Sequence, residues 1–356
     1  MRFHTLRVEQ VRPEAEDALA ITLAVPPQLQ AEYCGSAGQH IVLRLSADGQ
    51  ELRRTYSLTN APGADRLRIL VRLQPGGRMS GLLQRLEAGA SIEVLPPNGS
   101  FTPHAVAIGA GLRVAFAAGS GITPVLSVTH AVLAAGGAML IFYGNRSAAR
   151  AMGLEALQAL KDRYPQRLSL HFVMSREPQE VDLYNGRLDG AKVREFAQAF
   201  FAPAAVSEYF VCGPAGMDRE VCAALGGLGV PAERIRVEHF TLAAESAPAL
   251  RPAAAGQASQ AAGTAEVTVI LDGRRRSFAM PIDADTVLEG AERAGLELPF
   301  SCRSGVCSTC RTKVVRGQVR MEQNYALEEW ELEQGYVLAC QSKCLSSELE
   351  LDYDEK

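Results

Sequence analysis

CRSGVCSTC, residues 302–310, sets three cysteines at the spacing C-x4-C-x2-C, and a fourth, Cys340, follows after 29 intervening residues. Four thiolates are what a 2Fe–2S cluster needs, two for each iron, and intervals this short let one loop wrap it. Ser304, Gly305 and Ser308 are small enough for backbone N–H groups to approach the sulfurs, which favours the reduced, more negative state. Zinc is the competing reading, but structural zinc sites pair two C-x2-C knuckles, and the longer first interval here departs from that pattern. The expected ligands are therefore Cys302, Cys307, Cys310 and Cys340. A four-ligand cluster leaves Cys344, four residues beyond Cys340, as an ordinary thiol, and the scattered Cys34 and Cys222 read the same way.

The chain around this loop is long enough for two or three domains, with 356 residues of which 47% are hydrophobic and 21% charged. A net charge of −4 argues against a nucleic-acid partner, which calls for a basic stripe. The charge is divided unevenly. Residues 1–265 hold 25 basic and 23 acidic side chains, whereas residues 266–356 hold 11 and 17. The cysteine-bearing third is thus a separate, acidic electrostatic object. No stretch approaches the 18 or so apolar residues of a membrane span, so no membrane association is expected. MRFHTLRVEQV, the N-terminus, lacks the apolar core and cleavage site of a signal peptide, so a cytoplasmic location is expected. In that reducing compartment eight cysteines do not form a disulfide framework.

Ahead of the cysteines the hydrophobic rhythm changes twice. LRVEQV, ALAITLAV, QHIVLRLSA, RLRILVRLQ and ASIEVLPP alternate in the strand manner between Gly, Pro, Asn and Asp turns, with one helix near 80–87. That pattern predicts a small antiparallel barrel over residues 1–104. From 105 to 242 apolar strands (VAFAAG, MLIFYG, LSLHFVMS, EYFVCG, RIRVEHF) alternate with helical stretches near 124–135, 153–163, 191–200 and 215–225. Such alternation predicts a doubly wound parallel α/β sheet, which binds ligands at the carboxyl ends of its strands. Residues 243–265, almost entirely Ala, Pro, Gly, Ser and Gln, read as a flexible linker. Residues 266–356 form the last module, with a helix opened by Thr286 and Glu289 as a capping box.

Two motifs in the barrel carry chemistry. RTYS at 54–57 ends a strand, and GGRMS follows at 76–80. Arg54 offers a fork of donors to a pyrophosphate, Tyr56 a ring to stack on an isoalloxazine, and Ser57 a hydroxyl for a flavin nitrogen. Gly76 and Gly77 let amides approach phosphate oxygens, and Ser80 is placed to cap the next helix, whose N-terminus attracts an anion. At this spacing the pair resembles the ferredoxin–NADP reductase superfamily. The resemblance implies FAD bound by Arg54, Tyr56, Ser57, Gly77, Met79 and Ser80, with Val71 and Arg72 lining the site. His40, in GQHIVL, is expected to be structural.

AAGSGITPVLS at 117–127 is a strand, a Gly-rich turn and a helix with Pro124 in its first turn, although it is not the G-x-G-x-x-G fingerprint. Gly119 and Gly121 permit close backbone approach to a pyrophosphate. The same superfamily resemblance implies that Thr123 lies between flavin and nicotinamide. It also implies that Cys212, Gly213 and Pro214, in YFVCGPAGM, stand where the nicotinamide passes the flavin. Ser57, Thr123 and Cys212 are the expected catalytic residues, with Glu238 and Phe240 closing over the flavin. Cys212 has no His or Asn partner placed by the sequence and is not expected to act as a covalent nucleophile. Arg146 (in YGNR) follows one strand, and Ser175 and Arg176 (in SRE) follow the next. Two arginines suit a 2′-phosphate bidentately, so NADPH is expected over NADH.

DTVLEGAERAGLELPFSCRSGVCSTC and GYVLACQS resemble the plant-type ferredoxins through most of 266–345, which implies a β-grasp fold and a one-electron carrier. The whole order, flavin barrel, nicotinamide domain, linker and ferredoxin, resembles the reductase components of bacterial multicomponent oxygenases. Within these, the resemblance carried by ELRRTYSL, SRE…DLYNGR and GYVLACQ implies a partner that is a di-iron oxygenase of aerobic phenylacetate breakdown. Electron counting supplies the mechanism: hydride transfer delivers two electrons, a 2Fe–2S cluster accepts one, and the flavin splits the pair. The rivals are a reductase for a Rieske or steroid-type oxygenase, one for a hybrid-cluster protein, and an iron–sulfur redox sensor. A helix over 325–335 with Glu328, Glu329, Glu331 and Glu333 is the expected docking face for a basic patch on the oxygenase.

Overall fold

The structure, a computed structural model, describes residues 2–47, 49–104, 111–214, 216–240, 263–327 and 329–355. It divides into two compact units, Phe3–Phe240 and Thr241–Lys356 with Met1–Arg2.

The first part of the larger unit is a six-stranded antiparallel sheet. Its strands are β1 (His4–Ala15), β2 (Ala18–Ala24), β3 (His40–Ala47), β4 (Gln50–Ser57), β5 (Arg66–Arg72) and β6 (Ser91–Asn98), in the order β4-β3-β6-β1-β2-β5. The two edge strands meet through the antiparallel bridge Leu58–Ile69, which closes the sheet and leaves no free edge for stray pairing. Strand alternation turns Leu6, Val8, Ile21, Leu23, Ile41, Leu43, Ile69 and Val94 inward as a core. Two short helices, α1 (Gln30–Tyr33) and α2 (Arg78–Gln84), complete this part.

A five-stranded sheet follows: β7 (Leu112–Ala118), β8 (Ala138–Asn145), β9 (Leu168–Met174), β10 (Val206–Gly213) and β11 (Ile235–His239), all parallel, in the order β11-β10-β7-β8-β9. Its strands read as continuous apolar runs because helices cover both faces. α3 (Ile122–Ala134) and α4 (Leu154–Arg163) share one core with Ala18, Ala20 and Leu70 of the barrel. α5 (Gly190–Phe200) and α6 (Met217–Gly227) close the other face around Phe142, Phe196 and Val211. The strand order reverses between β7 and β10, so a crevice opens at the carboxyl ends of these two strands.

The smaller unit contains β12 (Thr264–Leu271), β13 (Arg274–Pro281), β14 (Arg311–Arg316), β15 (Val319–Met321), β16 (Tyr336–Leu338), β17 (Ser342–Cys344) and β18 (Glu348–Asp352), with α7 (Val287–Arg293) and α8 (Glu329–Glu333). The main sheet runs β13-β12-β18-β14-β16 with β12 and β18 parallel, and β15 pairs with β17. Val267, Val269, Leu288, Ala291, Leu338 and Leu351 form its core beneath α7. Thr286 caps α7 with the reciprocal Glu289 bonds of a capping box, as the sequence predicts. The expected linker lies outside the described residues as far as 262, and Thr264 and Ala265 already pair with Pro281 and Met280. Among the described residues no helix is long and apolar enough to cross a membrane.

Two local expectations are corrected. Ser80 does not cap α2, because the helix begins at Arg78 and Gly77 takes the cap position in extended backbone. The Ser80 hydroxyl instead accepts from the Gln74 amide (3.2 Å) and donates back to the Gly77 carbonyl (3.2 Å). The helix expected over 325–335 is confined to Glu329–Glu333. Asn324 Oδ1 accepts from the amides of Ala326 and Leu327 (3.2 and 2.8 Å), holding the preceding residues in a turn that competes with helix.

Candidate functional site

The barrel brings Tyr56, Ser57 and His40 to one end. β3 and β4 pair with His40 directly opposite Ser57. Both side chains are buried (3% and 4% exposed), and Ser57 Oγ, His40 Nδ1 and His40 Nε2 have no hydrogen-bond partner among the described residues. Buried polar atoms are normally satisfied, so three orphans together mark a place where a polar ligand completes the site. Glu238, on β11, points its Oε1 to 3.7 Å from His40 Nδ1, and its Oε2 is likewise unpartnered among the described residues. Burial pushes the Tyr56 phenol up, with Arg54 opposing, so it stays a neutral ring suited to stacking. Arg54 is exposed and donates to the neighbouring Arg53 carbonyl (2.7 Å). Gly77, Met79 and Ser80 lie together at the start of α2. Val71 faces the barrel core, while Arg72 pairs with Asp17 and donates to the Arg150 carbonyl (2.9 Å). Both of those side chains are thus engaged within the protein.

Sequence reading takes His40 as structural and does not foresee its meeting with Ser57 and Glu238. The signal was available: a histidine opening an apolar strand, in hairpin register with the serine of RTYS.

At the crevice of the parallel sheet, Gly121 lies so close to β10 that a Cβ there would sit 2.0 Å from the Cys212 carbonyl oxygen. Only glycine lets the turn after β7 reach β10. Thr123 is buried, with its hydroxyl donating to Ser120 O (2.9 Å), and Pro124 sits in the first turn of α3. Gly119 adopts a left-handed φ of +55° in the same turn. Cys212 and Glu238 are cross-strand neighbours. Burial first, then Glu238 and Asp218, push the Cys212 thiol well above its ordinary value. It is therefore a neutral, fully buried thiol, in keeping with a packing group rather than a nucleophile. Gly213 ends β10, and Pro214 follows in a bend. Phe240 packs against the core shared by barrel and sheet.

Arg146 and Arg176 come together through the backbone, since the Arg176 amide donates to the Arg146 carbonyl (2.9 Å). Both are exposed, and neither guanidinium has a partner among the described residues. Ser175 lies beside them, with its amide donating to Asn145 O (2.9 Å). The acidic neighbour Glu177 is occupied by the Ala148 amide (2.8 Å). The cation pair is thus left open at the strand ends.

In the smaller unit the four expected cysteines meet. Cys302 is in hydrogen-bonding contact with Cys307 and Cys340, and Cys340 also with Cys310. The Ser304 amide donates to Cys302 Sγ at 3.4 Å, and that of Val306 also points at this sulfur. These contacts pull Cys302 far down, while Cys307 and Cys340 are pushed up by sharing protons with it. Such a chain of thiols competing for protons is relieved when metal replaces the protons. All four thiols are thus joined through Cys302 and Cys340, as the four ligands of a two-iron group would be. The loop is shaped for close approach: Arg303 and Ser308 take positive φ, and a Cβ on Gly305 would stand 3.0 Å from the Gln323 carbonyl. Gln341 Nε2 ties the second segment down by donating to Arg303 O (3.0 Å) and Cys340 O (2.9 Å). Cys344 is outside this ring, its thiol donating to Ser346 O (3.2 Å) within the core.

Of the expected acidic docking face, the structure describes the side chains of Glu331 and Glu333. Glu331 is buried and paired with Arg311 Nε (2.7 Å), whose guanidinium stacks 3.6 Å over Tyr336. Glu333 is exposed, and Glu328 lies outside the described residues.

Three domain families match the chain. They are an oxidoreductase FAD-binding domain over residues 6–102, an oxidoreductase NAD-binding domain over 116–223, and a 2Fe-2S iron-sulfur cluster binding domain over 269–345. The chain is 40% identical to one of the subunits of the 1,2-phenylacetyl-CoA epoxidase of Escherichia coli, over 99% of this chain and 98% of that protein. It is 31% identical to the ferredoxin reductase component of 3-ketosteroid-9-alpha-monooxygenase of Rhodococcus rhodochrous, over 98% of this chain and 96% of that protein. Phthalate dioxygenase reductase, a solved modular structure for electron transfer from pyridine nucleotides to a 2Fe–2S centre, shares the fold. Its TM-score is 0.57 at 23% identity, with 98% of both chains covered. The protein belongs to the family of three-module oxidoreductases that join FAD-binding, NAD-binding and 2Fe–2S ferredoxin domains in one chain.

Proposed function

We propose that this protein passes electrons from NADPH through FAD to its 2Fe–2S cluster and on to the di-iron oxygenase of a phenylacetyl-CoA epoxidase in the cytoplasm. The observation that carries the reading is the likeness to the epoxidase component along the entire chain, all three modules in one order. Flavin chemistry accepts a hydride as an electron pair and releases electrons singly. The protein's own residues do the rest. Tyr56 stacks on the ring, while Ser57, His40 and Glu238, whose buried polar atoms lack partners among the described residues, line its edge. Arg54, Gly77, Met79 and Ser80 hold the FAD phosphates, and Gly119, Gly121 and Pro124 those of the nucleotide. Thr123, Cys212, Gly213 and Pro214 bound the space for the nicotinamide. Arg146, Ser175 and Arg176 read the 2′-phosphate, for which two open guanidinia at adjacent strand ends are well suited. Cys302, Cys307, Cys310 and Cys340 hold the cluster. In the domain division that goes with this reading, residues 1–104 bind FAD, 105–242 bind nucleotide, 243–265 link, and 266–356 carry the cluster.

The test is reconstitution: purified protein, NADPH and the oxygenase subunits of a phenylacetyl-CoA epoxidase should consume phenylacetyl-CoA. Cytochrome c reduction without that consumption would leave the electron path standing and remove the partner. The steroid-monooxygenase reductase likeness supports a second reading, a different oxygenase served by the same chemistry.

A further inference from the structure

Tyr353 follows the last strand of the cluster-bearing unit, and its hydroxyl is buried without a hydrogen-bond partner among the described residues. So is the hydroxyl of Thr312, which is 1% exposed. The sheet explains why both lie where they do. β14 and β18 are antiparallel with Lys313 opposite Asp352, so one further step sets Thr312 opposite Tyr353. The Tyr353 amide donates to Ile270 O (2.9 Å), which holds the backbone in the ladder past the strand end. Thr312 is two residues from Cys310, and the Cys310 carbonyl accepts from the Ala339 amide (3.1 Å), next to Cys340. The hydroxyl pair therefore stands at the end of the sheet where both of these cysteines attach. Tyr353 also packs against the core cluster that contains Cys310 and Cys340. Burial pushes its phenol well up, which keeps the O–H proton in place as a donor. A buried hydroxyl is costly when unpaired, and a phenol donates well to a thiolate or sulfide sulfur.

We propose that Tyr353 is a positioning residue that donates its hydroxyl hydrogen bond to a sulfur on the Cys310–Cys340 side of the cluster, raising the cluster's reduction potential. This rests on reading those cysteines as ligands. Hydrogen bonds to cluster sulfurs stabilise the reduced state, whose sulfurs carry more negative charge. Tyr353 thereby sets how readily the cluster accepts an electron, without touching flavin or nucleotide.

The experiment compares the full-length protein, with flavin and cluster in place, to its Tyr353→Phe variant. Redox titration followed by electron paramagnetic resonance should show about a tenfold lower ratio of reduced to oxidised cluster at a fixed solution potential. For one electron that is a fall of about 59 mV in midpoint. Electron–nuclear double resonance on the wild-type protein in deuterated water should detect an exchangeable deuteron coupled to the cluster, which the variant loses. Thr312→Val should leave that deuteron signal intact. An unchanged midpoint, with the deuteron signal retained in Tyr353→Phe, would overturn the proposal and assign the hydroxyl to a buried water. Should the variant not hold its cluster, the wild-type deuteron signal decides alone: its absence overturns the proposal. A wild-type protein that binds no cluster would instead remove the ligand reading, and this inference with it.

Discussion

His40 Nδ1 and Glu238 Oε1 stand 3.7 Å apart, one on the third strand of the barrel and the other on the last strand of the parallel sheet. The contact joins the two halves of the larger unit at the point where the buried Ser57 hydroxyl also lacks a partner among the described residues. Glu238→Gln and His40→Phe should each slow flavin reduction by NADPH about tenfold or more, as expected for a lost hydrogen bond to a charged group of about 1.5–3 kcal/mol. Anaerobic stopped-flow bleaching of the flavin measures this. Unaltered rates in both variants would confine the pair to a structural role.

Cys307→Ser should bleach the cluster and leave the flavin in place, because the two units have separate cores. NADPH should still reduce ferricyanide, while cytochrome c reduction collapses. Loss of both activities with FAD still bound would rule out a linear path from flavin to cluster.

Arg146→Ala and Arg176→Ala should each weaken NADPH by about 1–3 kcal/mol and NADH by much less, since each removes one charge-assisted contact to the 2′-phosphate. Nucleotide titration of the oxidised protein reads this directly. Equal weakening of both nucleotides would show that the arginines hold some other part of the ligand.

Thiol labelling should be ordered by burial and pH. Burial, assisted by Asp218, pushes Cys222 up to about 11, and Cys212 rises well above its ordinary value. A raised value means less thiolate at neutral pH, so iodoacetamide at pH 7 should modify the exposed Cys34 well ahead of both. Labelling of Cys222 should then grow about tenfold per pH unit until it levels near pH 11, as peptide mass spectrometry would show. Early modification of Cys212 at pH 7 would contradict its burial.

Charge at α8 separates stability from docking. Glu331→Lys should lower the stability of the ferredoxin unit by about 2–3 kcal/mol, because it breaks a mostly buried pair with Arg311. Glu333→Lys changes only an exposed charge and should leave the melting temperature within a degree or two. If acidic steering operates, it should slow electron delivery to the oxygenase at low salt, an effect that fades as the Debye length shortens to about 8 Å. A melting temperature untouched by Glu331→Lys would refute the structural role of the pair.

Much of the architecture was legible along the chain because it is encoded locally. Period-two alternation marks the barrel, apolar strands between helices mark the parallel sheet, and C-x4-C-x2-C marks the cluster loop, each a short-range property that folding preserves. Helix starts were less legible. Ser80 and Glu328–Glu333 have the composition of a cap and of a solvated face, yet Gly77 and Asn324 decide the local backbone, and Arg311, 20 residues away, claims Glu331.

Residue type and spacing were enough for the order of modules, the four thiols that meet in the ferredoxin unit and the cations at the strand ends, since each of these is a property of a short stretch of chain. Which polar atoms are buried together without partners depends instead on the folded arrangement. His40 meets Ser57 through hairpin register and Glu238 across nearly two hundred residues, and Tyr353 comes opposite Thr312 one step past a strand pairing that joins distant parts of the ferredoxin unit. Burial and register are products of long-range packing, and no local pattern carries them.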